Sequence, residues 1–161
     1  QMSLNKVAAI SRDDQFSTIE IYSFEDSNMQ GLFSNGLYGK DKVFKNLIEL
    51  ILMIEDCMNS ISFPQPMSRY RKMDNVTELN LQKTSYRDKA EFHIPEEEAP
   101  AEWSDMQPVA TFRVRIAFRT ISGWQGDAEC LESGNIVQFK SDLEFITFMV
   151  YETENIKYSR K

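Results

Sequence analysis

The feature of this sequence that most constrains its fold is an internal repeat. Residues 17–58 align with residues 112–153 without a gap, at a constant offset of 95 positions. Self-similarity at a fixed offset indicates a repeated structural unit that buries its apolar face against its copy. Two unrelated stretches that converged on similar patterning are the alternative. Positions with the same residue in both stretches include, numbered in the first, Ile21, Gln30, Gly31, Gly39, Phe44, Lys45, Glu49 and Ile51.

The second copy carries the clearer strand pattern. Over Thr111–Arg119, apolar residues alternate with mostly basic ones, which is the period of a strand with one buried face. Ile121–Gly123 and Ser133–Asn135 are turn signals, because glycine there can adopt a positive φ. The pattern therefore predicts three strands, with the second over Trp124–Leu131 and the third over Ile136–Phe139.

Each copy then predicts a helix that begins with a capping box. In Ser141–Glu144, the serine hydroxyl can accept a hydrogen bond from the N–H of the third helical residue, while the glutamate can accept one from the N–H of the cap itself. Asn46–Glu49 repeats this arrangement in the first copy. An apolar helix follows each box, so the two copies predict two capped helices.

These patterns predict an α+β fold made by tandem duplication of a β-β-β-α unit with pseudo-twofold symmetry, in which antiparallel sheet packs on two helices. We expect the first unit over residues 1–59, a connecting insert that is partly irregular and acidic over 60–109, and the second unit over 110–161, together in one compact domain. The predicted core is Ile19, Ile21, Phe44, Leu50, Ile51, Ile54, Val114, Ile116, Phe118, Trp124, Phe139, Phe145, Ile146 and Met149.

The insert is the part of the chain that the repeat does not explain. Phe63–Pro66 stops the first helix, Thr77–Lys83 could form a short strand, and Glu91–Glu102 is an acidic surface segment. The insert is also rich in Arg, Tyr, Met and Trp, which are residue types favoured at protein interfaces. We therefore predict a partner-binding surface, and its residues would be Phe63, Gln65, Arg69, Tyr70 and Trp103.

The net charge and the cysteines limit the classes of protein to which this chain can belong. The net charge of −7 argues against general binding to nucleic acid or to an anionic membrane. No segment has 18 consecutive apolar residues, so we expect no transmembrane helix, and the N-terminus lacks the layout of an export signal. Cys57 and Cys130 lack a metal-type spacing and are expected to be buried and reduced. A cytoplasmic protein is the expectation.

The sequence offers little for catalysis. His93 is the only histidine, so a histidine metal cluster is excluded, and its charged segment argues against a nucleophilic pair with a buried cysteine. Glu96–Glu98 supplies adjacent carboxylates that point apart, which is typical of a solvated charge run. We therefore expect no enzyme activity, no metal and no other cofactor.

Three arginines on one predicted strand could instead bind an anion. Arg113, Arg115 and Arg119 share one face if the alternation continues to the strand end. A hairpin turning at 121–123 would set Arg115 opposite Glu129, so cross-strand ion pairing and plain solvation are the competing interpretations. The same register sets Gly126 opposite Phe118, where the missing side chain would leave room for a buried Trp124.

Residues 110–149 resemble a family of small uncharacterised bacterial proteins with the pattern A-T-F-x-V-R-[IV]-x-[FY]-R, W-Q-G and F-[RK]-S-x-x-E-[LF]. The matching residues are Ala110-Thr111-Phe112, Val114-Arg115-Ile116, Phe118-Arg119, Trp124-Gln125-Gly126, Phe139-Lys140-Ser141 and Glu144-Phe145. The segment from Phe44 to Met58, with Phe63-Pro64-Gln65 and Arg69 after it, is similar to the first half of that family. The family has no established activity, so the resemblance implies fold and length and transfers no site.

Two functional hypotheses follow from the sequence. The first is a non-enzymatic intracellular binding or adaptor module that acts through contacts with a protein partner, and the chain could also form a homodimer. The second is a small-ligand or anion sensor that uses Arg113, Arg115 and Arg119 in a groove between the repeats.

Overall fold

The computed structural model describes residues 13–61, 64, 94, 96–120 and 123–160. Within them the chain folds into six strands and two long helices, with short 3₁₀ turns at Asp13–Gln15 and Ala101–Asp105. The first β-β-β-α segment consists of β1 (Phe16–Glu25), β2 (Asn28–Asn35), β3 (Lys42–Phe44) and α1 (Leu47–Ile61). The second consists of β4 (Ala110–Thr120), β5 (Gly123–Cys130), β6 (Ile136–Phe139) and α2 (Asp142–Ser159).

All six strands form one antiparallel sheet in the order β3-β2-β1-β4-β5-β6. The first strands of the two segments pair with each other at the centre, where Ile19 lies opposite Phe112. The third strands, β3 and β6, lie at the two edges. The predicted α+β class with antiparallel sheet on two helices is confirmed.

Both helices pack on the same face of this sheet. Leu50 of α1 and Phe145 of α2 belong to one apolar core with Ile19 and Phe112. Aromatic contacts hold α2 in place, since the Phe145 ring lies 6.2 Å from the ring of Trp124, measured between centroids. The opposite face, on which neither of these two long helices packs, is called the open face below.

The predicted core is confirmed at eleven positions and corrected at three. The buried ones are Ile19, Ile21, Phe44, Leu50, Ile54, Val114, Ile116, Trp124, Phe139, Phe145 and Met149. Ile51 and Ile146 are only partly buried. Phe118 was predicted wrongly, because its side chain is 53% exposed.

A β-bulge explains the error at Phe118. The register between β4 and β5 shifts between Ile116 and Phe118, so Ala117 is an extra residue on β4. An extra residue reverses which face the following side chains point to. Phe118 therefore points to the open face, while Arg119 points into the core face. Strand β1 has a bulge of the same kind against β2, between Ile21 and Ser23.

The predicted hairpin register was wrong by one to two residues. Arg115 lies opposite Asp127 rather than Glu129, and Gly126 lies opposite Ile116 rather than Phe118. Glycine is needed at position 126 for a different reason, because the backbone of β4 lies close to it. A Cβ at Gly126 would lie 1.9 Å from the carbonyl oxygen of Arg115.

Both capping boxes are present, with one difference from the prediction. The Asn46 and Ser141 side chains accept hydrogen bonds from the N–H groups of Glu49 and Glu144, at 2.8 and 3.2 Å. The two glutamates, however, accept from the residues before the caps, since the N–H groups of Lys45 and Lys140 each donate at 2.6 Å. Each carboxylate thus reaches one residue further back along the chain than in a standard box.

Several predictions lie outside the described residues, among them the strand over Thr77–Lys83 and the placement of His93. Among the helices that the structure describes, none has the length and apolar character needed to cross a membrane.

The glycine at the β4–β5 bulge generates a stability prediction. We expect Gly126→Ala to lower the free energy of unfolding by at least about 2 kcal/mol, because the new methyl group meets rigid backbone rather than a movable side chain. Urea denaturation followed by circular dichroism measures this change. Gly36→Ala is the control, since its Cβ would meet only the Asp14 carboxylate at 3.0 Å. Equal losses for the two variants would contradict the explanation.

Candidate functional site

The structure separates the three arginines of the predicted anion site. Arg113 is on the open face, where its guanidinium lies 3.9 Å from the centre of the Phe16 ring and its Nη2 lies 3.6 Å from Asp13 Oδ1. Arg115 is on the same face and donates from Nη2 and Nε to Asp127 Oδ2, at 2.6 and 3.2 Å. The expected cross-strand ion pair of Arg115 is therefore present with a different carboxylate.

Arg119 lies on the opposite face and is buried. It donates from Nε to the carbonyl oxygen of Pro64 at 2.7 Å and from Nη1 to Asn59 Oδ1 at 2.8 Å, with Glu55 Oε2 at 3.5 Å. The prediction that the three arginines share one face is wrong, because the β4 bulge reverses the strand before Arg119. Arg119 instead fastens the end of α1 to the second segment of the fold.

Glu55 is a residue that the sequence analysis missed. Its Oε1 accepts a hydrogen bond of 2.6 Å from the indole Nε1 of Trp124, which is fully buried. The backbone N–H of Trp124 also donates to Asp142 Oδ1 at 2.5 Å. The available signal was a pair of adjacent carboxylates, Glu55 and Asp56, in an apolar stretch of helix, because a carboxylate that is buried there needs a partner.

Trp103 of the predicted partner surface is buried inside the protein. Its ring is 7% exposed and stacks on Tyr22, with centroids 5.0 Å apart and planes 9° apart. Two effects raise the pKa of Tyr22: burial, which is the larger, and the hydrogen bond to Glu20. The hydroxyl therefore stays protonated. The other residues of that surface, Phe63, Gln65, Arg69 and Tyr70, lie outside the described residues, so binding through them stays a prediction.

The acidic segment of the insert lies beside the edge strand β3 and is joined to it by ion pairs. Glu96–Glu98 lies beside Lys40–Val43, with ion pairs of 3.7 Å from Lys42 Nζ to Glu96 and 2.7 Å from Lys45 Nζ to Glu97. The hydrogen bond with Glu97 raises the pKa of Lys45. The predicted charge run is at the surface, and it is tied to this edge of the sheet.

The other edge strand, β6, has no such neighbour among the residues that the structure describes. Ile136 is 67% exposed, and both Gln138 and Lys140 are exposed. We call Ile136–Lys140 the β6 edge. An uncovered edge strand presents unpaired backbone N–H and C=O groups that can pair with another chain. This is the candidate binding site of the molecule.

The described residues show little that resembles a reaction centre. They contain no group of three metal-ligating side chains, and Cys57 and Cys130 are free thiols in buried positions. Burial, with the nearby Asp56 carboxylate, raises the pKa of Cys57 to about 12. A thiol with this pKa is protonated at neutral pH and is a poor nucleophile.

Comparison with protein-family models, with curated proteins and with solved structures finds no match for this chain. The resemblance of residues 110–149 to the small bacterial family therefore stays a prediction.

The buried arginine generates a second prediction. We expect Arg119→Ala to lower the free energy of unfolding by about 3 kcal/mol, because it removes the buried hydrogen bonds to Pro64 and Asn59 and the cation that lies 3.5 Å from Glu55. Arg115→Ala is the matched control on the same strand. It breaks an ion pair whose side chains are 35% and 32% exposed and should cost less than about 1 kcal/mol. Thermal and urea unfolding give both values, and a reversed order would contradict this assignment.

The raised pKa of Cys57 generates a third prediction. A folded-state pKa of about 12, above the ordinary 9.0, means that the buried neutral thiol stabilises the fold below pH 9 and that this contribution is lost as the pH rises from 9 toward 12. Between pH 8 and pH 10 the wild type should lose about 1 kcal/mol more stability than Cys57→Ala. Urea unfolding at both pH values tests this, and equal losses would contradict it.

Proposed function

We propose that this chain is a non-enzymatic, intracellular protein-binding module that takes up an extended segment of a partner at the β6 edge. The observation that carries the proposal is the difference between the two edges of the sheet. Strand β3 has Glu96–Glu98 beside it, joined by ion pairs from Lys42 and Lys45, whereas the β6 edge has Ile136 two-thirds exposed and no such neighbour among the described residues. Addition of an extended segment to an open sheet edge is a common mode of peptide recognition.

We further propose that the two β-β-β-α segments are copies of one unit, related by a pseudo-twofold axis between β1 and β4. Features that support this recur at the same offset of 95 positions. The bulges fall at Ile21/Ser23 and Ile116/Phe118. A Cβ at Gly31 would lie 1.8 Å from the carbonyl oxygen of Glu20, and Gly126 has the same relation to Arg115.

The duplication makes β3 a guide to what β6 would bind. In the first segment, the acidic segment places Glu97 on Lys45, the residue just after β3. Lys140 is the residue aligned with Lys45, and it is exposed. A partner segment with a carboxylate at the matching place would make the corresponding ion pair.

The composition of β6 adds a second requirement. Val137 stands where β3 has Lys42, so the β6 edge carries fewer charges than its counterpart. The exposed Ile136 offers apolar area next to the unpaired backbone. The partner segment would therefore be extended and apolar in its middle, with one acidic residue toward Lys140.

Selection of peptides from a display library against the full chain tests the proposal. We expect enriched peptides to be extended and to carry an acidic residue, and Ile136→Asp should weaken their binding at least about tenfold, because it places a charge in the apolar part of the site. Lys140→Glu should weaken it, because it places like charges together, and added salt should then relieve this repulsion instead of weakening an attraction. Calorimetric titration gives the dissociation constants.

Leu37→Asp is the control, because Leu37 is also about half exposed but lies in the turn after β2. It should leave the affinity unchanged. Amide shifts in NMR spectra should concentrate at Ile136–Lys140 on addition of peptide. Peptides that bind equally well to Ile136→Asp would show that the site lies elsewhere.

A further inference from the structure

Asn35, the last residue of β2, is a buried amide whose two polar side-chain atoms are both hydrogen-bonded. Only 5% of the residue is exposed. Its Nδ2 donates to the carbonyl oxygens of Asp14 and Phe16, both at 3.2 Å, and to Ser17 Oγ at 3.1 Å. Its Oδ1 accepts from the backbone N–H of Leu37 at 2.9 Å. This one side chain therefore joins the 3₁₀ turn before β1 to the turn after β2.

The residue that follows makes this amide chemically reactive. Asn35 and Gly36 form the only Asn-Gly pair in the sequence, and Gly36 is exposed. A backbone nitrogen can attack the side-chain carbonyl carbon of the asparagine before it, and glycine hinders this attack least because it has no Cβ. Every other asparagine in the sequence is followed by a residue with a side chain. Position 35 is therefore the place where the chain is most prone to lose an amide.

We propose that Asn35 is a site of spontaneous deamidation, which the folded chain suppresses and which opening of the β2 end releases. The Gly36 N–H gives its proton to hydroxide, and the nitrogen forms a bond to Asn35 Cγ. The Cγ–Nδ2 bond then breaks, and Nδ2 takes up a proton from water and leaves as ammonia. Water opens the resulting five-membered imide to aspartate or to isoaspartate. The net reaction converts an amide and a water molecule into a carboxylate and an ammonium ion.

The contacts of the Asn35 side chain oppose the first step. Attack on Cγ makes this carbon tetrahedral, which moves Oδ1 away from the N–H of Leu37 and Nδ2 away from its three acceptors. The departing nitrogen also needs a proton, and it lies among oxygens that accept its hydrogen bonds at a residue nearly closed to water. The reaction therefore proceeds from molecules whose β2 end has opened. Its rate is the rate of the unfolded chain multiplied by the fraction that is open.

The product does not fit the place that the amide occupied. A carboxylate at position 35 has no hydrogen to donate, yet it would face the carbonyl oxygens of Asp14 and Phe16. Acceptors that face each other away from water cost free energy that the amide does not. Isoaspartate also adds one carbon to the backbone, which displaces the end of β2. A chain that has reacted therefore stays open at this end.

The charges around Asn35 add to this mismatch. Three carboxylates line the cleft beside it, those of Asp13, Asp14 and Asp41, and Arg113 is the cation among the described residues of the lining. Arg113 Nη2 already lies 3.6 Å from Asp13 Oδ1. A further negative charge therefore meets surroundings that are negative on balance, and this repulsion also favours the open form.

The modification is specific to the first segment. The residue aligned with Asn35 is Cys130, which has no amide. In the folded chain the Tyr38 N–H donates to the Asn35 carbonyl oxygen at 3.1 Å, and the Tyr38 hydroxyl donates to Asp56 of α1. Deamidation therefore loosens the turn between β2 and β3 and records how often this end has opened. It does not depend on the β6 edge.

Mass spectrometry of peptides from the aged protein tests the proposal. The full chain is kept at mildly alkaline pH, folded in one sample and unfolded in urea in the other. Asn35 should deamidate at least about 30-fold faster in the unfolded chain, because several hydrogen bonds protect it in the fold. Similar rates in the two samples, or no reaction in the unfolded chain, would overturn the proposal.

Three substitutions separate protection by the fold from intrinsic reactivity. Ser17→Ala removes one acceptor of Nδ2 and should raise the rate in the folded chain about fivefold. Thr18→Ala is the control, because Thr18 makes none of the hydrogen bonds to Asn35, and it should leave the rate unchanged. Gly36→Ala should slow the reaction of the unfolded chain at least about tenfold, because its Cβ hinders the attack. Equal rates for Ser17→Ala and Thr18→Ala would contradict the protective role of these contacts.

The effect of the product is tested with Asn35→Asp. Hydrogen exchange at the amides of Leu37 and Tyr38 should become at least about tenfold faster, because the carboxylate keeps the β2 end open. Asn46→Asp is the matched control. Asn46 only accepts a hydrogen bond, from the N–H of Glu49, and aspartate is an equally good helix cap, so exchange should stay as in the wild type. Unchanged exchange in Asn35→Asp would mean that a carboxylate fits the site and would overturn the proposed opening.

Discussion

The pairing of β1 with β4 is the interaction on which the rest of the structure depends. Each β-β-β-α segment has one apolar face, and a segment of this length would by itself be marginal, because a small unit buries only a small share of its surface. Antiparallel pairing of the two first strands sets Ile19 beside Phe112 and puts both helices on one side of a six-stranded sheet. One continuous core results, and the third strands become the edges.

The bulges decide which side chains enter that core. Had β4 continued without Ala117 as an extra residue, Phe118 would be inside and Arg119 would lie beside Arg115 on the open face. The bulge instead buries the Arg119 guanidinium. Hydrogen bonds to Pro64 and Asn59 and the carboxylate of Glu55 offset the free-energy cost of removing this charge from water. Arg119 thus makes a polar contact between the two segments instead of joining Arg113 and Arg115 in an anion site. Arg119 and Trp124 together hold α1 to the second segment.

The two segments differ most at the surface, where function would lie. The insert lies beside the β3 edge and is joined to it through Lys42 and Lys45, and the β6 edge has no such neighbour among the described residues. The solvent side of α1 is polar at Asp56, whereas that of α2 carries Tyr151. In the proposed duplication, the two copies keep similar cores and differ at their surfaces. The binding site proposed at the β6 edge belongs to the second segment.

The sequence by itself determined the elements: the alternation over β4, the turn glycines and the capping boxes at Asn46 and Ser141 are local signals, and local hydrogen bonds and periodicity are enough to produce them. Only the tertiary structure decided which face Arg119 occupies, because one extra residue at a bulge reverses a strand and leaves no mark on the alternation. The burial of Trp103 on Tyr22 and the partnership of Glu55 with Trp124 were likewise decided by contacts between residues distant in the chain, which no local pattern encodes.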